Sequence, residues 1–543
     1  MPPRFNLTSP ALLVALAAVF IVPGLPGHDL WKSQDAISLG IAHDMALRGH
    51  LLVPHVAGMA WLEDGPLYPW VAMLFGVLLH TAMEFHAAAR LASGLFLAAA
   101  FVLIYRAGRD WTGNEPERPT AGAAATLILL GSVGLMVRAH EATPLLAALA
   151  AICGAFAALP QAAAYPLRAG AAFGAALGLA FLAGSWIAPL AVLVAASAAH
   201  AVCASLRTRA AVPFLGSALA CAGLVSLSWP VALAVRSPEA FVEWSTYLVY
   251  VHGGISENAR HLIANGSWFT WPAWPLALWS AWSLRRRWNE PRLFVPGASL
   301  LVMVVLQIAW GVPEDESLLL LLAPLALLAV PGLFTLRRGA VAALDWFGVL
   351  AFGFFAALIW LGYSALTLGI PGPVARNLAR IAPGFNANVH VLALVLAVAL
   401  AAAWIYLVFF TPFNPMRGVA RWAGGIVLLW GTFALLLMPW VDYQRSYRSV
   451  ALQLKILIPE ATTCVAERSL GISQAAALDY HGGIRTQPFD LQNPQACPLL
   501  IVQGRPQRED KPPVAGRRGW IKLADVGRPG DRSERYRLYR LGK

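Results

Sequence analysis

Charge is what this sequence has least of. Asp, Glu, Lys and Arg make up 13% of its 543 residues, about half the share carried by an ordinary soluble domain. That scarcity excludes a soluble protein, and a mean hydropathy of +0.62 agrees. Phosphate-cradling glycine loops are missing as well, both the Walker type and the dinucleotide type, and no Cys/His run has metal-ligand spacing. Nucleotide-driven chemistry on the cytoplasmic side therefore has no visible apparatus. No internal repeat of the kind found in inverted-topology transporters is present. Cysteine is sparse: Cys153, Cys203 and Cys221 lie in apolar runs, where a small weakly polar side chain packs normally. Cys464 and Cys497 lie in a polar tail, and either remain free thiols or form a disulfide if that tail faces an oxidising compartment.

What is abundant is apolar sequence, 58% of the chain. A membrane-crossing helix needs about 20 apolar residues to traverse roughly 30 Å of hydrocarbon. Candidate runs lie near 8–26, 66–83, 86–107, 120–138, 143–160, 168–184, 186–205, 211–234, 268–284, 293–311, 317–335, 341–366, 388–411 and 420–440. The first is expected to be a retained helix, because no small-residue cleavage site follows it. The formal charge of +12 does not suggest nucleic acid, since the arginines form short clusters between apolar runs. If 66–83 does not cross, the clusters Arg106/Arg109, Arg168, Arg207/Arg209, Arg285 to Arg287, Arg337/Arg338 and Arg417/Arg421 all share the side of Arg4. The charge pattern therefore predicts about thirteen transmembrane helices, with 66–83 lying in the interface or re-entering. It also places the loops 27–85, 236–267 and 368–387, the turn around Glu314 to Glu316 and the C-terminal tail on the non-cytoplasmic face.

The fold expected is an α-helical polytopic membrane protein with a small C-terminal α/β domain. Residues 1–445 form its transmembrane catalytic domain and 446–543 its outer domain. In the tail, Thr463 to Glu467, Leu499 to Gln503, Trp520 to Ala524 and Tyr536 to Leu541 read as strands, and Ser473 to Tyr480 as a helix.

The first outer loop carries the chemistry. Residues Ala36 to Leu47 have helical periodicity and are expected to form an amphipathic helix at the membrane surface. Asp35 stands at its N-terminus, suited either to capping or to a catalytic carboxylate. Glu63 and Asp64 precede a Gly65-Pro66 turn, and suit either a solvated corner or a carboxylate site at the membrane boundary.

These residues carry a resemblance. Gln34-Asp35, Asp44-Met45, Pro54 with Gly58, Glu63-Asp64-Gly65-Pro66-Leu67 and Trp70 resemble the first loop of GT-C glycosyltransferases that use polyprenyl-phosphate sugars. The nearest in pattern are the bacterial aminoarabinose transferases of lipid A and the protein O-mannosyltransferases. Ala89-Arg90-Leu91, Arg138-Ala139-His140-Glu141 with Pro144, and Trp229-Pro230 followed by His252 and Trp268 to Trp274 extend it over nearly the whole chain. Four positions depart from that pattern. Gln34 replaces the first acid of an Asp-Glu pair, Asp64 replaces the Lys of Glu-Lys-Pro, Gly184-Ser185 replaces Lys-Gly, and Glu316-Ser317-Leu318 replaces Lys-Leu-Pro.

The resemblance implies an inverting transfer of a sugar from an undecaprenyl-phosphate donor to an envelope acceptor such as lipid A, a glycan or a protein. It places the chain in the bacterial inner membrane with the active site and C-terminal domain periplasmic. Such a reaction needs a stabilised leaving phosphate and, for a hydroxyl acceptor, a base. Asp35 is the expected catalytic carboxylate and Glu63 positions substrate or metal. Arg90, Arg138, His140, His252 and Arg260 are the expected phosphate-facing groups, with Glu141 and His55 joining them as substrate-binding residues. The residues point to no certain cofactor, and a divalent metal is compatible with the acids present. A lipid or sugar transporter is the alternative, and it would predict ionisable groups at mid-span and internal symmetry.

Overall fold

A computed structural model describes residues 8–112, 118–311, 315–459, 462, 464–493, 496–505, 519–531 and 533–542. Arg4, Glu314 and the first residue of the strand expected at Thr463 lie outside these. Among the described residues, eight helices are long and apolar enough to cross a membrane. They are Phe85–Trp111, Pro144–Gln161, Ala211–Arg236, Pro291–Trp310, Asp315–Leu333, Arg338–Thr367, Val391–Phe410 and Met416–Leu436. Five shorter apolar helices accompany them. The chain is a multi-pass membrane protein. Helices such as Arg338–Thr367 and Val391–Phe410 turn most of their apolar surface outward, with Leu350, Val391 and Phe409 exposed. An apolar sheath of that extent is stable only in lipid. Asp315–Leu333 instead threads the bundle interior.

Two of the expected runs are not continuous helices. The run 120–138 breaks at Gly131-Ser132, where the N–H of Val133 leaves the helical ladder and donates to the carbonyl of Trp271 at 3.0 Å. The run 268–284 breaks at 270–272, ahead of Pro272, so one helix arrives as Ile255–Phe269 and another leaves as Ala273–Ser283. The expected total of thirteen continuous spans is therefore not established. The disputed run 66–83 forms the helix Leu67–Leu79, which rises only about 20 Å.

Close helix packing follows from small residues. Gly170, Gly174 and Gly178 recur every fourth residue on the helix Pro166–Leu182, and all three face Ala211–Arg236. A Cβ on Gly174 would fall 2.0 Å from the carbonyl oxygen of Ala218, the backbone approach that small-xxx-small stripes permit. The acid within a helix, Asp345, is neutralised by Arg417 at 3.0 Å and Arg421 at 2.8 Å.

The first outer segment follows α1 (Pro10–Ile21) and comprises α2 (Gln34–Arg48), the two-stranded hairpin β1 (His55–Val56) and β2 (Met59–Ala60), and α3 (Leu67–Leu79). It leads into α4 (Phe85–Trp111). Contrary to the surface position expected of it, α2 is buried on both apolar sides. Ala36, Leu39 and Ala42 join the transmembrane core, while Ile37, Ile41 and Met45 pack against Val56 and Ala476. The outer domain covers what the sequence pattern reads as a free face.

That domain is a five-stranded mixed sheet, order β4-β3-β5-β7-β6. Its strands are β3 (Val465–Arg468), β4 (Thr486–Pro488), β5 (Leu499–Gly504), β6 (Trp520–Val526) and β7 (Arg535–Leu541). Strand β3 runs parallel to β4 and β5, and β7 antiparallel to β5 and β6. The helices Arg448–Leu457 and Ile472–Gly482 supply Val450, Leu454, Ala477 and Leu478 to its core. Cys464 and Cys497 are disulfide-bonded, joining the entrance of β3 to the segment before β5. Docking onto the first loop centres on Asp29. It accepts from Ser446 Oγ at 2.7 Å and lies 3.2 Å from both Arg448 Nε and His481 Nε2.

Candidate active site

The loop Trp61 to Pro66 is brought against the bundle by Gly65. A Cβ there would fall 2.0 Å from the carbonyl oxygen of Leu182. Only glycine lets the loop reach the end of the helix Pro166–Leu182, and this contact places Glu63 and Asp64 on the wall of a cavity of about 380 Å³. Gln34 and Ser33 at the start of α2 line the same cavity, with Glu316, Gln307 and His252 from later outer segments. Trp61, Trp186, Trp229, Trp244, Tyr247 and Trp310 form an aromatic wall. Trp186 meets Trp310 edge to face at 5.2 Å, and Trp229 meets Trp244 at 5.7 Å. Such rings offer flat apolar faces to sugar or prenyl chains.

Three helices begin at this cavity. Thr143 and Pro144 open Pro144–Ala158, Trp186 and Ile187 open Ile187–Val202, and Ile472 and Ser473 open Ile472–Gly482. Their N-terminal dipoles direct partial positive charge toward the space, which suits a phosphate. Among the described residues, no Lys or Arg lines it.

Asp64 is the carboxylate most clearly set up for chemistry. Gln34 Nε2 donates to its Oδ2 at 2.7 Å and Trp61 Nε1 to the same oxygen at 2.9 Å. Burial raises its pKa above the ordinary carboxylate value, with the two hydrogen bonds opposing that shift. Glu63, beside it, is exposed. Glu316 accepts from Thr143 Oγ1 at 2.6 Å and from Arg138 at 3.0 Å, and Arg138 also bonds Glu141 at 2.6 Å.

The sequence-derived candidates divide three ways. Glu63 and His252 line the cavity. Arg138 and Glu141 stand behind its wall, reaching it through Glu316. The others lie elsewhere, Asp35 among them. It is 1% exposed, and its two oxygens take Arg90 Nε and Nη2 at 3.0 Å each, the N–H of Ala142 at 2.7 Å and that of Trp31 at 3.0 Å. Burial would raise its pKa, but Arg90, His28 and these hydrogen bonds outweigh that and hold it below its usual value. These contacts tie the start of α2 to α4 and to the segment before Pro144. Arg90, wholly buried, also donates to the carbonyls of Leu25, His28 and Asp29 and has no access to a phosphate. His140 is likewise structural, bonded to the carbonyls of Phe20 and Met136 and stacked on Trp430. Arg260 is exposed and does not line the cavity. His55 lies in a separate cluster with Asp44 and His50.

Against solved structures the chain matches ArnT from Cupriavidus metallidurans bound to undecaprenyl phosphate, with TM-score 0.68 and 17% identity over 97% of each chain. It has the GT-C fold of ArnT. The apo state of the same protein matches with TM-score 0.63 at 16% identity, again over 97% of each chain. In sequence, the chain is 24% identical over 387 residues to the undecaprenyl phosphate-alpha-4-amino-4-deoxy-L-arabinose arabinosyl transferase of Pectobacterium atrosepticum. That alignment covers 68% of this chain and 66% of that protein, so the chain spans just under two thirds of this relative's length. No family model matches.

Seen on the ArnT-like fold, the sequence departures fall together. Gln34 and Asp64 contact one another, while Ser185 and Glu316 line the same cavity. They were legible as departures in the sequence, and only the fold brings them to one cavity.

Proposed function

We propose that this chain is a membrane glycosyltransferase. In this reading it moves a sugar from a polyprenyl-phosphate carrier, undecaprenyl phosphate in a bacterial envelope, to an envelope acceptor such as lipid A on the periplasmic face. The outer domain then also faces the periplasm. The observation that carries the reading is the outer cavity itself, where a buried-side carboxylate, an aromatic wall and three helix N-termini converge on an ArnT-like fold.

The roles follow from the chemistry. Asp64 takes the proton of an acceptor hydroxyl as it attacks the anomeric carbon, and Gln34 and Trp61 hold the carboxylate in place. The helix N-termini receive the negative charge growing on the leaving phosphate, with Arg138 behind Glu316 adding a longer-range positive field. Glu63 and Glu316 orient sugar or acceptor hydroxyls. In this reading the acceptor oxygen is a hydroxyl, whose proton the carboxylates of this wall can take. The transporter alternative gains nothing from Asp345, which is paired with Arg417 and Arg421 near the end of its helix.

The test is transfer by the purified protein in lipid from labelled undecaprenyl-phosphate sugars to a mixed envelope fraction. Labelled product that disappears in Asp64→Asn supports the reading, and an absence of transfer from every donor overturns it.

A further inference from the structure

The cluster apart from the cavity has its own geometry. Asp44 lies on the last turn of α2, His50 just beyond the helix-ending Gly49, and His55 in β1. One ligand atom from each falls within 4.8 Å of the others. Among the described residues this is the one group of His, Cys, Asp and Glu close enough to share a metal ion.

The carboxylate is set up asymmetrically. Arg48 donates to Asp44 Oδ1, and Arg485 of the outer domain reaches the same oxygen at 3.7 Å. Oδ2 is left facing the histidines, with His50 Nδ1 at 2.6 Å. Asp479 lies 3.3 Å from Arg48 and 3.6 Å from Arg485, so it offsets the guanidinium charge. Asp44 is 1% exposed, and its orientation is therefore fixed from behind.

The histidines are oriented too. His55 Nδ1 lies 2.7 Å from the carbonyl of Val53, to which it donates. That bond fixes the tautomer and leaves Nε2 with a lone pair, the outer-shell arrangement typical of a metal-bound imidazole. The two rings sit 4.2 Å apart at 35°. Two imidazoles beside one carboxylate form a donor set for a borderline divalent ion.

We propose that Asp44, His50 and His55 form a zinc site that clamps the β1–β2 hairpin to the end of α2. Tetrahedral zinc with bonds of about 2.0–2.1 Å puts its donors about 3.3 Å apart. His50 and Asp44 open slightly to reach that spacing, and His55 closes inward on a surface hairpin. The fourth position opens to solvent beside His50, whose side chain is 43% exposed. The hairpin runs directly into Trp61 and Asp64, so an occupied site steadies the strand that delivers the cavity carboxylate.

The test requires no knowledge of the sugar. Full-length protein in detergent is stripped with EDTA, titrated with zinc chloride by calorimetry and assayed for retained zinc by plasma mass spectrometry. One zinc per chain is expected, with a higher Tm on binding. Affinity should fall on the order of tenfold or more in His50→Ala and in His55→Ala, and the site should vanish in the double variant. Absence of saturable binding, or equal binding by the double variant, overturns the proposal. If the double variant melts lower than the wild type without metal, wild-type anomalous scattering at the zinc edge decides. A peak between the three side chains supports the site, and a peak elsewhere or none refutes it. Zinc binding with no sugar transfer would leave this site standing and count only against the transferase reading.

Discussion

Gln34 Nε2 donates to Asp64 Oδ2 across 2.7 Å, tying the first turn of α2 to the loop that ends at Gly65. The neighbouring Asp35 is turned away from that contact and paired with the buried Arg90. Two adjacent residues thus serve two different structures, one the cavity wall and the other the brace beneath it.

Asparagine replacements should separate those parts. Asp64→Asn is expected to lower kcat about 10²–10⁴-fold, the usual worth of a general base, with thermal unfolding little changed. Asp35→Asn should instead leave Arg90 as an uncompensated charge in the interior, a loss of about 3–5 kcal/mol. Melting curves and transfer assays on both variants distinguish the roles, and an Asp35→Asn protein that melts normally but cannot transfer would restore Asp35 as the base.

The pH profile carries a second expectation. A base works deprotonated, and burial raises the pKa of Asp64, so transfer should fall on acidification at a pH above the ordinary carboxylate range. Trp61→Phe removes a hydrogen bond that favours the charged form, and should move this acid limb to still higher pH. A limb that stays put in Trp61→Phe would assign the titration to another group.

Gly65→Ala tests the placement of the loop. Its new methyl would meet the carbonyl of Leu182 at 2.0 Å, so the loop must withdraw and carry Glu63 and Asp64 with it. Displacement by about 1 Å is expected to cost on the order of 10²-fold in rate, while the bundle, which packs elsewhere, keeps its stability. Unchanged kinetics would show that the loop tolerates withdrawal.

Asp29 should make docking of the outer domain acid-sensitive. Burial would raise its pKa, but His481, Ser446 and Arg448 outweigh that and hold it well below the ordinary carboxylate range. The stability it contributes is full above its unfolded pKa of about 4 and is lost as pH falls from there through the folded value. Hydrogen exchange in the helix Arg448–Leu457 should therefore rise below about pH 4 in the wild type. In Asp29→Asn exchange should already be elevated at neutral pH, with a flatter pH response.

Much of the outer domain was readable in advance. The strands near 465, 499, 520 and 536 stand close to where their β-rich patterns place them, and the helix expected at Ser473 to Tyr480 runs Ile472–Gly482. Strand β4 was not readable, because Thr486–Pro488 is three residues long and ends in proline. It exists through parallel pairing with β3, and nothing local encodes that. The same limit applies at Gly131-Ser132 and before Pro272, where apolar runs look continuous although the chain breaks its ladder to bond across helices.

By itself the sequence determined the solvent and the address of the chemistry. Scarce charge and long apolar runs require lipid, and Asp35, Glu63 and Asp64 mark the first outer loop. Only the tertiary structure decided which acid meets the cavity. Consecutive residues on a helix point about 100° apart, so Gln34 and Asp35 cannot share an environment. Packing of α4 beneath α2 gives Asp35 to Arg90, and the close approach at Gly65 brings Asp64 up to Gln34. Those contacts join segments distant along the chain, and local pattern holds no record of them.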